Sequence, residues 1–328
     1  MATFTCSIDD AFPDSCLGGV LTIGNFDGVH LGHQALLAEA SRQAQAIPGP
    51  AVAVTLDPHP SLLLRPDKVG PSLNTLADRV ALLNRHGADH VLILRTNADL
   101  LQLSAREFFQ RIILAQMRAA ALVEGFNFGF GRNREGTIDV LKQLCTEAKL
   151  RLTLLPPREV QGLVVSSSRV RTELLAGRVD VVAALLGREY VITGTVEAGQ
   201  KRGTTIGFPT ANLHDVPTLL PGDGVYAMRA TVDGTTWPAA ANVGPNPTFG
   251  ESARKTEVHL LGFTGDLYGK LLSATFVKKI RDTKKFASID TLKEQISHDL
   301  ESVRMALSWS AKYKVQSATD HGPQTTDH

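Results

Sequence analysis

Val20-Leu21-Thr22-Ile23 runs without a break into Gly24-Asn25-Phe26-Asp27-Gly28-Val29-His30-Leu31-Gly32-His33, and from Leu31 the chain takes up helical apolar spacing. A short apolar run that passes through a glycine-rich turn into a helix opens a parallel α/β unit. Glycines there let the backbone approach a ligand closely. A helix starting at the carboxyl end of a first strand aims free N–H groups and a partial positive charge at that place, which favours phosphate. His30 and His33 are three apart and share one face of the first turn. Two imidazoles beside phosphate can donate hydrogen bonds to a pentacovalent transition state instead of acting as bases. The same histidines also fit a helix cap or a surface turn. A zinc site lacks a third Cys or His at ligand spacing. No Gly-x-x-x-x-Gly-Lys-Ser/Thr string occurs, which disfavours P-loop chemistry.

Outward from this stretch, apolar runs at Val20–Ile23, Ala51–Leu56, His90–Leu94, Ala120–Val123 and Arg151–Leu155 alternate with helical patterns at Leu31–Ala46, Ala77–His86, Ser104–Met117 and Gly136–Lys149. That alternation predicts a Rossmann-like parallel sheet, and Ser104 with Glu107 predicts a capping box. Beyond Leu155 come Pro156-Pro157, a Ser166–Ser168 stretch, and short helical patterns at Ser168–Ala176 and Val181–Leu186, which places a domain boundary near Gly187. From Tyr190 to Ile280 short β-rich runs are punctuated by Gly, Pro, Asn and Asp, the texture of a small antiparallel barrel or sandwich. Ile289, Leu292, Ile296, Leu300, Val303 and Leu307 then recur on one face of a closing helix, a core-packing stripe. The expected division is 1–186, 187–311, and a polar, disordered tail over 312–328.

Composition sets the class. A chain of 328 residues exceeds one ordinary hydrophobic core, so two domains are expected. Basic and acidic side chains number 34 and 33, which points to neither nucleic acid nor an anionic membrane surface as a partner. Cys6, Cys16 and Cys145 are widely spaced and match neither a zinc knuckle nor a redox pair. The amino terminus lacks the pattern of a secretory signal, and no apolar run approaches the roughly 20 residues that span a bilayer. A cytoplasmic protein is the expectation. The oligomeric state is not legible.

The residues from Gly24 to His33 resemble the HxGH-bearing signature of the nucleotidyltransferase superfamily, in the form found in the prokaryotic bifunctional riboflavin kinase/FAD synthetase (FMN adenylyltransferase) family. Further strings match that family in order: Pro58-His59-Pro60, Gly125-Phe126-Asn127-Phe128-Gly129-Phe130-Gly131, and Val165-Ser166-Ser167-Ser168-Arg169-Val170-Arg171. The resemblance implies ATP and FMN sites built from Gly24, Phe26, Asp27, Gly28, His30, His33, His59, Asn127, Ser166, Ser167, Ser168 and Arg171. Read from the residues alone, the hydroxyls of Ser167 and Ser168 suit phosphate at a helix start, with Arg171 one turn on, and equally suit a serine cap. Asn127 suits phosphate, ribose or a plain turn. Two positions depart from the family: Gly129 stands where a basic residue is common, with Arg132 and Arg134 nearby, and Ser168 replaces a threonine.

A second set lies in Gly194–Leu213. Gly199, Gly203 and Gly207 belong to a glycine-rich flap whose amides suit phosphate, and Thr210 and Asn212 share one face if extended. Such oxygen donors suit Mg²⁺ beside ATP. A plain β-hairpin would explain the turn about as well. The Gly207-Phe208-Pro209-Thr210-Ala211-Asn212 string resembles the riboflavin-kinase signature, followed in order by Asn242-Val243-Gly244, Glu257-Val258-His259 and Lys279-Ile280-Arg281. The resemblance implies Pro209 at ATP, Asn242 and Arg281 at flavin, Thr210 and Asn212 on Mg²⁺, and Glu257 as the base toward the riboflavin 5′-hydroxyl. Glu257 alternates with Val258 and Leu260, which turns it away from the apolar set, a facing that suits a cleft and equally a plain solvated charge. Gly262 departs from an aspartate common in relatives. The expected function is phosphorylation of riboflavin to FMN and adenylylation of FMN to FAD. The rival expectations are a riboflavin kinase with a weakened first half and a non-catalytic flavin-binding protein.

Overall fold

Apolar runs buried on both faces form parallel strands, because helices in the connections cover each side. The computed structural model describes residues 1–68, 70–197, 202–245, 248 and 254–319. It divides into two compact units, Met1–Arg169 and Val170–His328.

In the first unit the strands β1 (Ala2–Cys6), β2 (Val20–Gly24), β3 (Ala51–Asp57), β4 (His90–Arg95), β5 (Ala121–Gly125) and β6 (Arg151–Leu155) make one sheet in the order β1-β4-β3-β2-β5-β6. Every pairing in it is parallel. A small hairpin, β7 (Glu159–Val160) and β8 (Leu163–Val164), follows. The helices are α1 (Leu31–Ala44), α2 (Pro60–Leu64), α3 (Leu76–Arg85), α4 (Ala98–Gln102), α5 (Ala105–Phe108) and α6 (Ile138–Ala148). A π-helical stretch, Phe109–Gln116, continues α5. On one face Leu21, Ile23, Val54, Leu92 and Leu122 pack against Phe109, Ile112, Ile113 and Met117. On the other, Val20, Ala51, Ala121 and Val123 meet Leu36, Ala40 and Ala44 of α1. The capping box forms as expected: Glu107 N–H donates to Ser104 Oγ at 3.2 Å and Ser104 N–H to Glu107 Oε2 at 2.8 Å. Strand β1 is the element that sequence reading passes over. It is a short edge strand whose partner, β4, lies far along the chain.

From β2 the chain steps through β3 to β4 on one side, then returns to place β5 on the other. This reversal is the topological switch point of an open α/β sheet, beyond whose strand ends a crevice forms.

Helix α7 (Ser167–Leu175) crosses into the second unit and is followed by α8 (Val179–Leu186). The units part after Arg169, ahead of the expected boundary near Gly187. The reason is packing: α8 buries Val179, Val182, Leu185 and Leu186 and lies on barrel strands β9 (Tyr190–Glu197) and β14 (Leu271–Arg281). With α9 (Arg202–Ile206), β10 (Ala211–His214), β11 (Gly224–Val232), β12 (Thr235–Gly244) and β13 (Lys255–Leu260), the described strands close a barrel in the order β10-β13-β12-β11-β14-β9. All its pairings are antiparallel. Of the two β architectures expected, the barrel forms. Helix α10 (Ile289–Thr319) seats Leu300 and Val303, with Ile296 and Leu307, against Ala227, Ala240 and Leu261. The stripe is core, as expected. The helix itself runs on through Thr319, into the segment expected as a tail; residues 320–328 lie outside the described residues.

Two candidate active sites

At the switch point the Gly24–His33 loop is held in conformations most residues avoid. Phe26 and Val29 sit at φ 48° and 40°, beside Gly28 at 80°. A β-branched residue at positive φ is strained and persists only when its surroundings fix it. Here Val29 is fully buried, its N–H donates to the Phe26 carbonyl at 3.0 Å, and its carbonyl accepts from Gln34 Nε2 at 2.9 Å. Asp27 Oδ1 accepts from Leu73 N–H at 2.8 Å, and Gly28 N–H donates to Asn74 Oδ1 at 3.2 Å. The residues after Gly70 thus brace the loop from below.

His30 caps α1: its Nδ1 accepts from His33 N–H at 3.3 Å. A neutral ring that accepts on Nδ1 carries its proton on Nε2, so the donor edge is the far one. The two imidazoles stack with centroids 3.6 Å apart, and Phe26 meets His33 edge-on at 5.1 Å. A Cβ on Gly32 would come within 3.1 Å of the His30 ring, which is why a glycine separates the pair from a side chain of its own. Burial, then His30 and Arg79, push the His33 pKa well below its ordinary value. His33 is a neutral donor, and its Nδ1 has no hydrogen-bond partner among the described residues. Arg79 is 3 % exposed and reaches Thr55 Oγ1 and the Leu56 carbonyl at 3.4 and 3.3 Å, a cation beneath the loop.

The other expected residues of this unit separate into contacts and caps. Ser167 Oγ donates to the Asp27 carbonyl at 2.9 Å and so ties the serine motif to the loop. Ser166 Oγ accepts from Arg169 N–H at 3.2 Å, the capping alternative. Ser168 and Arg171 lie on α7, with Arg171 beyond the point where the compact units divide. His59 caps α2 through Nδ1, which accepts from Ser61 N–H at 3.1 Å. Gly24 ends β2 beside the Phe26 ring. Phe126 and Asn127 are exposed on the loop leaving β5. Gly129 proves to be occupied space: a Cβ there would stand 3.0 Å from the Arg134 guanidinium, which donates to the Asn127 carbonyl at 3.3 Å. Arg134 therefore lays a cation over the place where Gly129 brings none.

In the second unit, register across strands builds the site. Glu257 of β13 is paired directly with Asn212 of β10 on one side and Asn242 of β12 on the other, and Asn212 is paired in turn with Glu197 of β9. Neighbours in each strand (Ala211, Leu213, Ala241, Val243, Val258) are buried, so the polar row occupies the opposite face. Pro209 is anchored to that face: His259, two residues from Glu257, donates Nδ1–H to the Pro209 carbonyl at 2.7 Å, and Phe208 meets its ring edge-on. Gly203 packs against the same turn, where a Cβ would come 2.3 Å from the Phe208 carbonyl and 3.2 Å from Thr210 Oγ1. Gly207 turns the chain at φ 92°. Gly199 lies outside the described residues. Arg281, expected at the flavin, holds the buried Asp299 of α10 through Nε and an Nη at 2.8 to 3.0 Å and lies over Phe286.

Sequence reading passed over Asn74, Arg79 and Glu124, which are 5 %, 3 % and 1 % exposed. None sits in a motif, and their partners lie tens of residues away. A charge within an apolar strand, as Glu124 is in Ala121–Gly125, was the one local signal.

The chain matches the family model described as FAD synthetase over residues 14–169 and that described as riboflavin kinase over residues 186–307. The bifunctional riboflavin kinase/FMN adenylyltransferase of Pseudomonas fluorescens is 39% identical over 90% of this chain and 94% of its own length. That of Escherichia coli (strain K12) is 36% identical, covering 86% and 90%. A crystal structure described as a macrolide-efflux protein from Streptococcus pneumoniae superposes with TM-score 0.82 at 32% identity, covering 92% of this chain and 98% of that one. No helix among the described residues is long and apolar enough to cross a membrane. With both halves matched and relatives aligned along nearly their whole length, the chain belongs to the bifunctional riboflavin kinase/FMN adenylyltransferase family.

Proposed function

We propose that this transferase, which makes FMN from riboflavin and FAD from FMN with ATP, performs adenylyl transfer at the Gly24–His33 loop and phosphorylation beside Glu257. The observation that supports the division is that the contacts binding each motif set fall within one compact unit: Ser167 on Asp27 in one, Asn212 and Asn242 flanking Glu257 in the other. Functionally we assign 1–186 to adenylyl transfer, 187–311 to the kinase and 312–328 to neither.

In the kinase, Glu257 takes the proton of the riboflavin 5′-hydroxyl as its oxygen attacks the γ-phosphorus, and ADP leaves. Asn242 orients the flavin, and the turn from Gly203 to Pro209 covers the phosphates. Mg²⁺ is tested by the donor set. No cluster of three or more His, Cys, Asp or Glu suited to a metal occurs among the described residues, whereas Thr210 and Asn212 offer neutral oxygens beside the Gly203 cradle. This fits an ion that keeps waters and borrows ligands from nucleotide phosphates. When bound it neutralises charge on the phosphates.

In the first unit an FMN phosphate oxygen attacks the α-phosphorus of ATP, and pyrophosphate leaves. That nucleophile is already an anion, so no base is needed. His30 Nε2–H and His33 donate to the charge that builds on the phosphoryl oxygens. Gly24, Phe26, Asp27 and Gly28 shape the loop, and His59, Asn127, Ser168 and Arg171 complete the phosphate and ribose contacts. All three cysteines are buried thiols, which supports a reducing, cytoplasmic setting.

Incubation with riboflavin, ATP and Mg²⁺, followed by chromatography, should show FMN first and FAD after it, and chelation of Mg²⁺ should stop both. FMN without FAD would leave only the kinase half of the reading.

A further inference from the structure

Strands β2 and β5 part company at the switch point earlier than their lengths require. Their paired register ends at Leu21↔Leu122, although β2 continues to Gly24 and β5 to Gly125. Past that point Ile23 N–H, aimed at β5, meets a side chain instead of a backbone carbonyl: it donates to Glu124 Oε1 at 2.8 Å, in a fully buried bond. Glu124 is 1 % exposed. A buried N–H must find an acceptor, and an acceptor on a side chain holds two strands farther apart than a ladder bond does.

We propose that Glu124 is a positioning residue for adenylyl transfer: its carboxyl replaces the ladder bond where β2 and β5 diverge, and so fixes the exit of the Gly24–His33 loop over the crevice. Ile23 immediately precedes the loop, so any closing or slackening of this gap is passed to His30 and His33. A carboxylate beneath a triphosphate would repel it. Burial opposes this, holding the Glu124 carboxyl well above the usual carboxylate range and so favouring its protonated form. The aligned loop on β5, with Asn127 and Arg134, leaves one residue later and shares the same support. The inference rests on the placement of adenylyl transfer at this loop.

The test uses the full-length enzyme, with riboflavin phosphorylation as a control in the same molecule. Glu124→Gln keeps an acceptor of the same shape, whereas Glu124→Leu fills the space and orphans Ile23 N–H. Adenylyl transfer from supplied FMN should fall about tenfold to a hundredfold in kcat for Glu124→Leu, the size expected when a buried donor loses its partner. KM for ATP should move less than threefold. Glu124→Gln should restore kcat to within threefold of the parent, and riboflavin phosphorylation should be unchanged in both. Full adenylyl transfer in Glu124→Leu, equal loss in both variants, or loss confined to KM would overturn the inference. His33→Ala serves as the reference: if it leaves adenylyl transfer intact, the placement at the loop fails; if it abolishes transfer while Glu124→Leu is silent, only the role of Glu124 does.

Discussion

The two candidate sites of this chain are assembled in opposite ways. The first gathers its chemistry in one run of sequence, Gly24 to His33, and draws its support from residues scattered far along the chain: Asn74, Arg79, Glu124 and Ser167. The second gathers single residues from separate strands, Asn212, Asn242 and Glu257, into one row by register, held in place by barrel pairing. A loop must be braced to hold a shape, since its strained residues would otherwise relax. A strand position is held by the ladder on either side.

That contrast predicts where damage will travel. The largest effect should come from Glu257→Gln: riboflavin phosphorylation falls about 10²- to 10⁴-fold, the usual contribution of a positioned base, while FMN adenylylation survives. Because the ladder holds the strand, melting of the protein should barely change. Next, Arg281→Ala leaves Asp299 buried without its ion pair. With Arg281 partly exposed, the loss should be about 2 kcal/mol, below that of fully buried pairs, and should appear in chemical denaturation of the barrel unit. A raised KM for riboflavin with stability untouched would favour the flavin-contact role expected of Arg281. Asn74→Leu removes the acceptor of Gly28 N–H and should cost adenylyl transfer about 1 to 2 kcal/mol in kcat/KM without affecting the kinase. The smallest effect should be that of Ser104→Ala, which breaks the capping box of α5: about 1 kcal/mol of stability by thermal melting, with riboflavin phosphorylation intact.

The same contrast explains what could be read from the residues. The parallel sheet was legible because buried strands and amphipathic helices alternate visibly, and the loop was legible because glycines and histidines cluster within it. The braces were not, since Asn74 and Arg79 look like ordinary polar positions until the fold brings them beneath Asp27 and Gly28. In the barrel, the facing of Glu257 followed from its alternation with Val258 and Leu260, but its neighbours Asn212 and Asn242 are set by register, which no local pattern encodes. The boundary near Gly187 marked the end of α8 correctly, at a residue with φ 67°. The packing of α8 on the barrel strands was not legible, because an apolar helix does not announce which sheet it covers.

The central claim, one reaction per unit, is tested most directly by assaying His33→Ala and Glu257→Gln separately and then together. Separately, His33→Ala should stop at FMN, and Glu257→Gln should convert only supplied FMN to FAD. Mixed in one tube with riboflavin, ATP and Mg²⁺, the two proteins should make FAD, because FMN released by one is substrate for the other. Loss of both activities from either folded variant would contradict the division.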